Sequence, residues 1–172
     1  MDYALTIREQ AKKFKLSPAL VAAVCMVESS MNPNAVRFEP RWVYWYQPET
    51  VRPPGVSLAT EKAFQMCSWG LMQVMGAVYR EYGYRGPLHC VKIEDQLFYG
   101  CKHLRRKIER YGMKEGVQAY NTGSPLNNGD YRYYHKVMAA LSPVPRQPHR
   151  TAVQSLETPP SISPLVDLTR LG

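Results

Sequence analysis

The sequence predicts an all-α domain, and three observations lead to this prediction. Apolar residues recur with helical periodicity along most of the chain, and no segment shows the strict alternation of a half-buried strand. Ser17 followed by Pro18 is typical of a helix start, with serine as the N-cap and proline at the first helical position. The 172 residues, 45% of them hydrophobic, are enough to bury a core without metals or disulfides. Disorder and fibrous structure are therefore excluded for most of the chain.

The same periodicity gives the helices in chain order. Around residues 34–55, prolines and clustered aromatic residues predict an irregular segment, because proline interrupts helical hydrogen bonding. After residue 141 the composition changes to a proline-rich segment with little periodicity. We therefore expect a helical domain over residues 1–141 and a flexible tail or anchor over 142–172. The predicted helices cover residues 3–14, a segment beginning at 17–18, 58–66, a segment ending near 82, 92–111, 114–120 and 131–141.

The second predicted helix is apolar and carries a carboxyl group at its C-terminal end. Residues 19–27 are apolar on every face, which is typical of a buried helix, and Glu28 follows directly. A partly buried carboxyl has a raised pKa, because desolvation disfavours its charged form. Such a group can donate a proton near neutral pH, as the cleavage of a glycosidic bond requires. The simpler alternative is a glutamate that turns to solvent or pairs with a cation such as Arg37.

The charge balance favours an anionic partner. The chain carries 22 Lys and Arg against 14 Asp and Glu, a net charge of +8, which suits nucleic acid, a membrane surface or a bacterial cell wall. The densest basic segment, residues 102–107, fits the solvated face of one helix better than a nucleic-acid patch. No apolar stretch is long enough to span a bilayer. We therefore expect neither a nucleic-acid partner nor a membrane span.

The cysteines indicate neither a metal site nor a disulfide framework. The spacing of Cys25, Cys67, Cys90 and Cys101 matches no zinc-ligand pattern and is too sparse for a framework of disulfide bonds. We expect no cofactor and no metal.

Three separated segments match one protein family in the right order, and a fourth resembles the last motif of that family. They are residues 28–33 (ESSMNP), 70–73 (GLMQ), 119–123 (AYNTG) and the tyrosine-rich 131–137 (YRYYHKV). The sequence resembles the soluble lytic transglycosylases, whose SLT domain has the lysozyme-like fold of goose-type lysozyme. The resemblance covers about residues 3–141 and implies an enzyme that degrades the peptidoglycan of the cell wall.

The family resemblance implies a mechanism and a set of site residues. Glu28 would protonate the β-1,4 bond between N-acetylmuramic acid and N-acetylglucosamine, and would then deprotonate the C6 hydroxyl that closes a 1,6-anhydro ring. Ser68 would orient the Glu28 carboxyl or the substrate. Tyr133 best matches the tyrosine of the last motif, with Tyr131 and Tyr134 as alternatives. For each polar residue the alternative is a role in capping, in the core or on the surface. The implied substrate-binding residues are Ser68, Gln73, Tyr120, Asn121 and Tyr133.

The sequence departs from the family pattern between its first two motifs. Residues 37–66 are longer and more aromatic than a minimal member requires, and they contain Glu39 and Glu61. If either carboxylate reaches the cleft, it could hold a water and make the enzyme a hydrolytic muramidase. The aromatic residues are either a wall on which sugar rings stack or a loop that packs onto the domain.

Two further expectations concern setting and class. The N-terminus carries no secretory signal, so we expect a virion or a secretion apparatus, bound through residues 142–172, to deliver the protein to the periplasm and cell wall. The alternative from a different class is a non-catalytic wall-binding or virion structural module that kept the fold.

Overall fold

The computed structural model describes residues 3–126 and 128–141. Within these residues the chain forms helices and a small sheet, whose bounds follow in chain order. They are α1 Ala4–Lys13, α2 Pro18–Ser29, β1 Val36–Phe38, α3 Pro48–Val51, α4 Leu58–Gln65, β2 Cys67–Trp69, β3 Val74–Met75, α5 Gly76–Glu81, a 3-10 turn Leu88–Cys90, α6 Ile93–Tyr111, α7 Met113–Thr122 and α8 Arg132–Leu141.

The helices predicted from periodicity are confirmed, with ends that differ by a few residues. Ser57 caps α4, since its hydroxyl accepts a hydrogen bond from the Thr60 amide at 3.0 Å. Ser17 is the N-cap of α2 by backbone conformation but makes no capping hydrogen bond through its side chain. The fold is mostly helical and compatible with the lysozyme-like architecture.

The prediction of an all-α domain is wrong in one respect, since the structure contains a three-stranded antiparallel sheet. The strands lie in the order β1, β2, β3, and Arg37 pairs with Ser68, which in turn pairs with Met75. The strands are two or three residues long, too short for their period of two to be recognised in a sequence. The one-turn helix α3 was missed because four residues are too few to show helical periodicity. It lies within the segment that was expected to be irregular.

Helix α2 contributes much of the core, as its apolar sequence predicts, but it is not buried on every face, since Ala19 is exposed and Met26 is 52% exposed. It packs mainly against α8 and α1, while α6 packs along α7. The buried side chains of α2 are Leu20, Val21, Ala23, Val24 and Cys25. The C-terminal end of this buried helix carries Glu28.

A fully buried ion pair joins α4 to α5 and corrects one expectation. The Glu61 carboxylate accepts hydrogen bonds from Arg80 Nε at 2.7 Å and Arg80 Nη2 at 2.9 Å, and neither side chain is exposed to solvent. Arg80 Nη1 donates to the carbonyls of Tyr84 and Gly86. Glu61 is thus a structural residue inside the domain, and the hypothesis that it could hold a water in the cleft is wrong.

The tail predicted for residues 142–172 lies outside the described residues. Its role as an anchor, and delivery by a virion or a secretion apparatus, therefore stay predictions. Among the residues that the structure describes, no helix is both long enough and apolar enough to cross a bilayer.

We expect Arg80→Met to lower the free energy of unfolding by about 3–5 kcal/mol, because it leaves the Glu61 carboxylate buried without its partner. Chemical denaturation measures this loss. The matched control is Glu109→Gln, which breaks an exposed pair with Arg105 within α6 and should cost less than about 1 kcal/mol. The double variant Glu61→Leu, Arg80→Met should lose less than Arg80→Met alone. Equal losses for the buried and the exposed pair would contradict this assignment.

Candidate active site

The site is built around the C-terminal end of α2. Ser30 ends this helix in a left-handed conformation with φ 51°, so the chain turns away directly after Glu28 and Ser29. The Ser29 hydroxyl lies within hydrogen-bond distance of two carbonyls, Leu71 O at 2.9 Å and Cys25 O at 3.1 Å. The contact with Cys25 O lies within the helix, and the contact with Leu71 O fixes the end of the helix to the GLMQ segment. The half-buried Glu28 therefore has a fixed place beside that segment.

The turn at residues 70–73 is tied to the chain after α2 by backbone and side-chain hydrogen bonds. The Gly70 amide donates to Ala35 O at 2.8 Å. Gln96, on α6, accepts from the Leu71 amide at 2.9 Å and donates to Pro33 O at 3.1 Å. Gly70 has φ +73°, and a Cβ there would lie 2.2 Å from Gln96 Oε1, so glycine is required on two grounds.

Sequence reasoning missed Gln96, which joins the first two motifs. The side chain is buried, at a position within α6 where the helical pattern calls for an apolar residue. A buried glutamine must find hydrogen-bond partners, and its amide has four hydrogen-bonding positions to fill. A lone polar residue on the apolar face of a predicted helix was the signal that could have identified it.

Ser68 and Gln73 line the groove but bond to each other and to the backbone. The Ser68 hydroxyl donates to Gln73 Oε1 at 2.8 Å, and Gln73 Nε2 donates to Ala35 O at 3.0 Å and Gly70 O at 2.9 Å. Both protons of the Gln73 amide are therefore engaged in the turn. Ser68 orients Gln73 in this arrangement, where the family resemblance had implied the Glu28 carboxyl or the substrate. Substrate contact by either residue stays a prediction.

The third motif lies on α7 and supplies two residues with different environments. The buried Tyr120 donates its hydroxyl to Met72 O at 2.7 Å, and its ring packs on His103 with 5.3 Å between ring centroids. Asn121 is exposed to the cleft, close enough to the Glu28 carboxyl to influence its protonation. Tyr120 thus positions the backbone of the GLMQ turn, while Asn121 faces the reacting region.

Of the three tyrosines near the start of α8, Tyr133 is the one beside Glu28. Its hydroxyl is buried and has no partner in hydrogen-bond geometry among the described residues, yet it lies near enough to the carboxyl to affect its charge. Tyr131 instead donates its hydroxyl to Glu115 at 3.2 Å, and the backbone amide of Tyr134 donates to Gln118 Oε1. The structure therefore brings Glu28, Asn121 and Tyr133 together.

Burial raises the pKa of the Glu28 carboxyl above its ordinary value. The nearby Tyr133 hydroxyl, the Arg37 cation and the Asn121 amide each lower this pKa, and the Glu39 carboxylate raises it. Desolvation is the largest of these effects, so the protonated form persists to higher pH than in an exposed glutamate.

Glu28 separates two cavities. One is a groove of about 580 Å³ that extends over the sheet and is also lined by Glu39, Trp42 and Tyr44. The other is a pocket of about 380 Å³ lined by Tyr133 and Lys136, among others. Glu28, Arg37 and Asn121 line both, so an elongated ligand could pass the carboxyl with parts of it on either side.

Arg37 and Glu39 form an ion pair in the lining of the groove. Arg37 Nε lies 2.5 Å from Glu39 Oε1. Of the two candidate carboxylates Glu39 and Glu61, only Glu39 lines the groove. Within the described ranges, no group of three or more His, Cys, Asp and Glu side chains comes together as metal ligands.

Comparison with known proteins identifies one family. The family model described as "Transglycosylase SLT domain" matches residues 5–137, which include Glu28 and all the other predicted site residues. No curated protein and no solved structure gives a significant match to the chain.

We expect the Glu28 carboxyl to titrate above the value of about 4.3 that an exposed glutamate shows. Removing a neighbouring cation disfavours the charged form, so Arg37→Gln should raise the midpoint further. Removing a neighbouring anion has the opposite effect, so Glu39→Gln should lower it. Titration of the carboxyl carbon by NMR measures all three midpoints, with Glu28→Gln assigning the signal. A midpoint at or below the ordinary value would contradict the desolvation described above.

Proposed function

Because the chain belongs to the transglycosylase SLT domain family, typically lytic transglycosylases of peptidoglycan, we propose the bond that it cleaves and the residue that cleaves it. The bond is the β-1,4 linkage between N-acetylmuramic acid and N-acetylglucosamine, and the product is 1,6-anhydro-N-acetylmuramic acid. One observation carries this proposal: Glu28 is a half-buried carboxyl with a raised pKa that separates two cavities.

In the first step Glu28 acts as a general acid. Its proton passes to the glycosidic oxygen while the bond from that oxygen to the anomeric carbon breaks, so N-acetylglucosamine leaves as an alcohol. The raised pKa supplies the protonated carboxyl that this step needs. The N-acetyl oxygen of N-acetylmuramic acid assists at the anomeric carbon, as the family resemblance implies.

In the second step the same residue acts as a base. The Glu28 carboxylate takes the proton of the C6 hydroxyl while that oxygen bonds to the anomeric carbon and displaces the N-acetyl oxygen, which restores both the acetamido group and the protonated acid without consuming water. Tyr133 and Asn121 favour the charged form of Glu28, the form that exists between the two steps. A tethered hydroxyl near its target has a high effective concentration, so the ring closure competes well with water.

A second candidate function is hydrolysis by a muramidase, and one observation favours it. Glu39 lines the same groove as Glu28 and lies close enough to raise its pKa. A second carboxylate there could hold the attacking water on the other side of the sugar. A non-catalytic wall-binding module is the third candidate. Such a module would have no use for the desolvated Glu28 carboxyl beside the Tyr133 hydroxyl, which has no partner among the described residues.

Mass spectrometry of the soluble products from purified peptidoglycan tests the proposal. We expect the unaltered protein to release products one water lighter than reducing-end fragments, and Glu28→Gln to release none, because the amide cannot donate or accept the required proton. Glu39→Gln is the matched control and should give the same anhydro products.

The other outcomes separate the candidate functions. Reducing-end products that disappear in Glu39→Gln would establish the muramidase instead. Sacculi that bind the protein but yield no soluble product would favour the non-catalytic module.

We expect Tyr133→Phe to lower kcat by about 10- to 100-fold, because the hydroxyl favours the charged Glu28 carboxylate that exists between the two steps, and a hydrogen bond formed to a charged group contributes about 1.5–3 kcal/mol. The free energy of unfolding should stay the same or rise, since the variant removes a buried hydroxyl that has no partner in the described residues. Tyr131→Phe is the control, because its hydroxyl bonds to Glu115 away from the site. Steady-state release of soluble fragments and chemical denaturation give the two readouts. Unchanged kcat in Tyr133→Phe would exclude its hydroxyl from the reaction.

A further inference from the structure

The segment between β1 and α3 presents aromatic side chains to the groove. We call residues 39–46 the aromatic loop. Trp42 and Tyr44 of this loop line the same groove as Glu28, whereas Trp45 does not. The two lining rings meet edge to face, with 6.2 Å between their centroids. Aromatic rings therefore form part of the groove lining, together with the apolar Val74, Met75 and Val78 and with polar and charged side chains.

The aromatic loop is held in place by hydrogen bonds that need no ligand. At its start the Glu39 amide donates to Met66 O at 2.9 Å, and at its end the Tyr46 amide donates to Gln65 Oε1 at 2.8 Å. Trp42 Nε1 donates to Tyr44 O at 2.5 Å, so its indole is oriented by the loop itself. The loop conformation and the indole donor are thus satisfied before anything binds.

Solvent exposure of these rings indicates that they serve a binding purpose. Tyr44 is 44% exposed, Val43 is 80% exposed and the nearby Phe38 is 54% exposed. Exposed apolar patches on a folded domain often mark interaction sites or ligand-binding grooves. Tyr44 is both exposed and part of the lining of the groove that contains Glu28, which ties the ligand of this ring to the ligand of the groove.

A saccharide is the ligand that fits both the rings and their surroundings. The carbon-bound hydrogens of a pyranose make an apolar face that packs on an aromatic ring, while its hydroxyl and acetamido groups seek polar partners. The same groove supplies such partners in Arg41, Glu81 and Lys107. Apolar rings surrounded by separate charged groups suit an alternating apolar and polar ligand better than a purely anionic one.

We propose that Trp42 and Tyr44 form an additional saccharide subsite, which binds a sugar ring of the glycan strand away from the bond that Glu28 cleaves. This inference rests on the proposed function, because it takes the glycan strand as the occupant of the groove. The subsite raises affinity for long strands over short ones. The longer segment between the first two family motifs thereby sets the length of glycan that the enzyme prefers.

Binding of peptide-free glycan strands to the Glu28→Gln protein tests the proposal without turnover. In that background we expect Trp42→Ala and Tyr44→Leu each to weaken binding of long strands by about 10-fold, which corresponds to about 1.4 kcal/mol, because each variant removes a ring on which a sugar face packs. A disaccharide is too short to span the cleavage site at Glu28 and the proposed subsite, so its binding should not change. Tyr44→Phe keeps the ring and should keep the affinity.

Trp45→Ala is the matched control for these variants. Trp45 is 39% exposed, belongs to the same loop and donates its indole N–H to Lys62 O, but it lies outside the groove. We expect it to leave binding of long strands unchanged. Unchanged affinity in both Trp42→Ala and Tyr44→Leu, with the folded state verified by circular dichroism, would overturn the subsite and leave the loop as a surface for another partner.

The two proposals fail in distinguishable ways. If the unaltered protein releases no fragments from peptidoglycan, the proposed function fails whatever the binding data show. If it releases anhydro products while the loop variants bind long strands like the control, only the subsite fails.

Discussion

The candidate site depends on the burial of one apolar helix that ends in a carboxyl group. Because the buried face of α2 packs on α1 and α8, and Ser29 bonds to Leu71 O, the last turn of the helix holds Glu28 in a half-buried position. The cost of desolvating the carboxyl is met by the packing of the whole helix, and the result is a raised pKa at a fixed position. The neighbouring segments are then located relative to this helix end, through Ser29 to Leu71 and through Gln96 to Pro33.

The polar residues of the family motifs divide into those that shape the site and those that meet the carboxyl. Ser68, Gln73 and Tyr120 direct their hydrogen bonds to one another or to backbone carbonyls around the GLMQ turn. Asn121 and Tyr133 lie where they affect the charge of Glu28. A motif residue can therefore matter to the reaction without touching the substrate, because it fixes the backbone on which the groove is built.

The sequence predicted the helices and the position of Glu28 because both depend on local patterns: apolar periodicity and the transition from an apolar run to a carboxylate. It missed the sheet, whose strands are too short to show a pattern, and it missed Gln96, whose partners lie 25 and 63 residues away. It also left two carboxylates open in the longer segment. The sequence could not separate them because their tertiary surroundings differ: Glu61 is buried against Arg80, and Glu39 lines the groove beside Arg37.

The buried pair of Glu61 and Arg80 also supports the aromatic loop. Gln65 donates to Glu61 and bonds both ways with the backbone of Tyr46, so the loop is joined to the ion pair through a single side chain. Removing the loop together with α4 would leave the Arg80 guanidinium buried without its carboxylate, and grafting the loop alone onto another scaffold would leave it without Gln65. A transplant of the loop therefore has to carry α4 and the arginine of α5 with it.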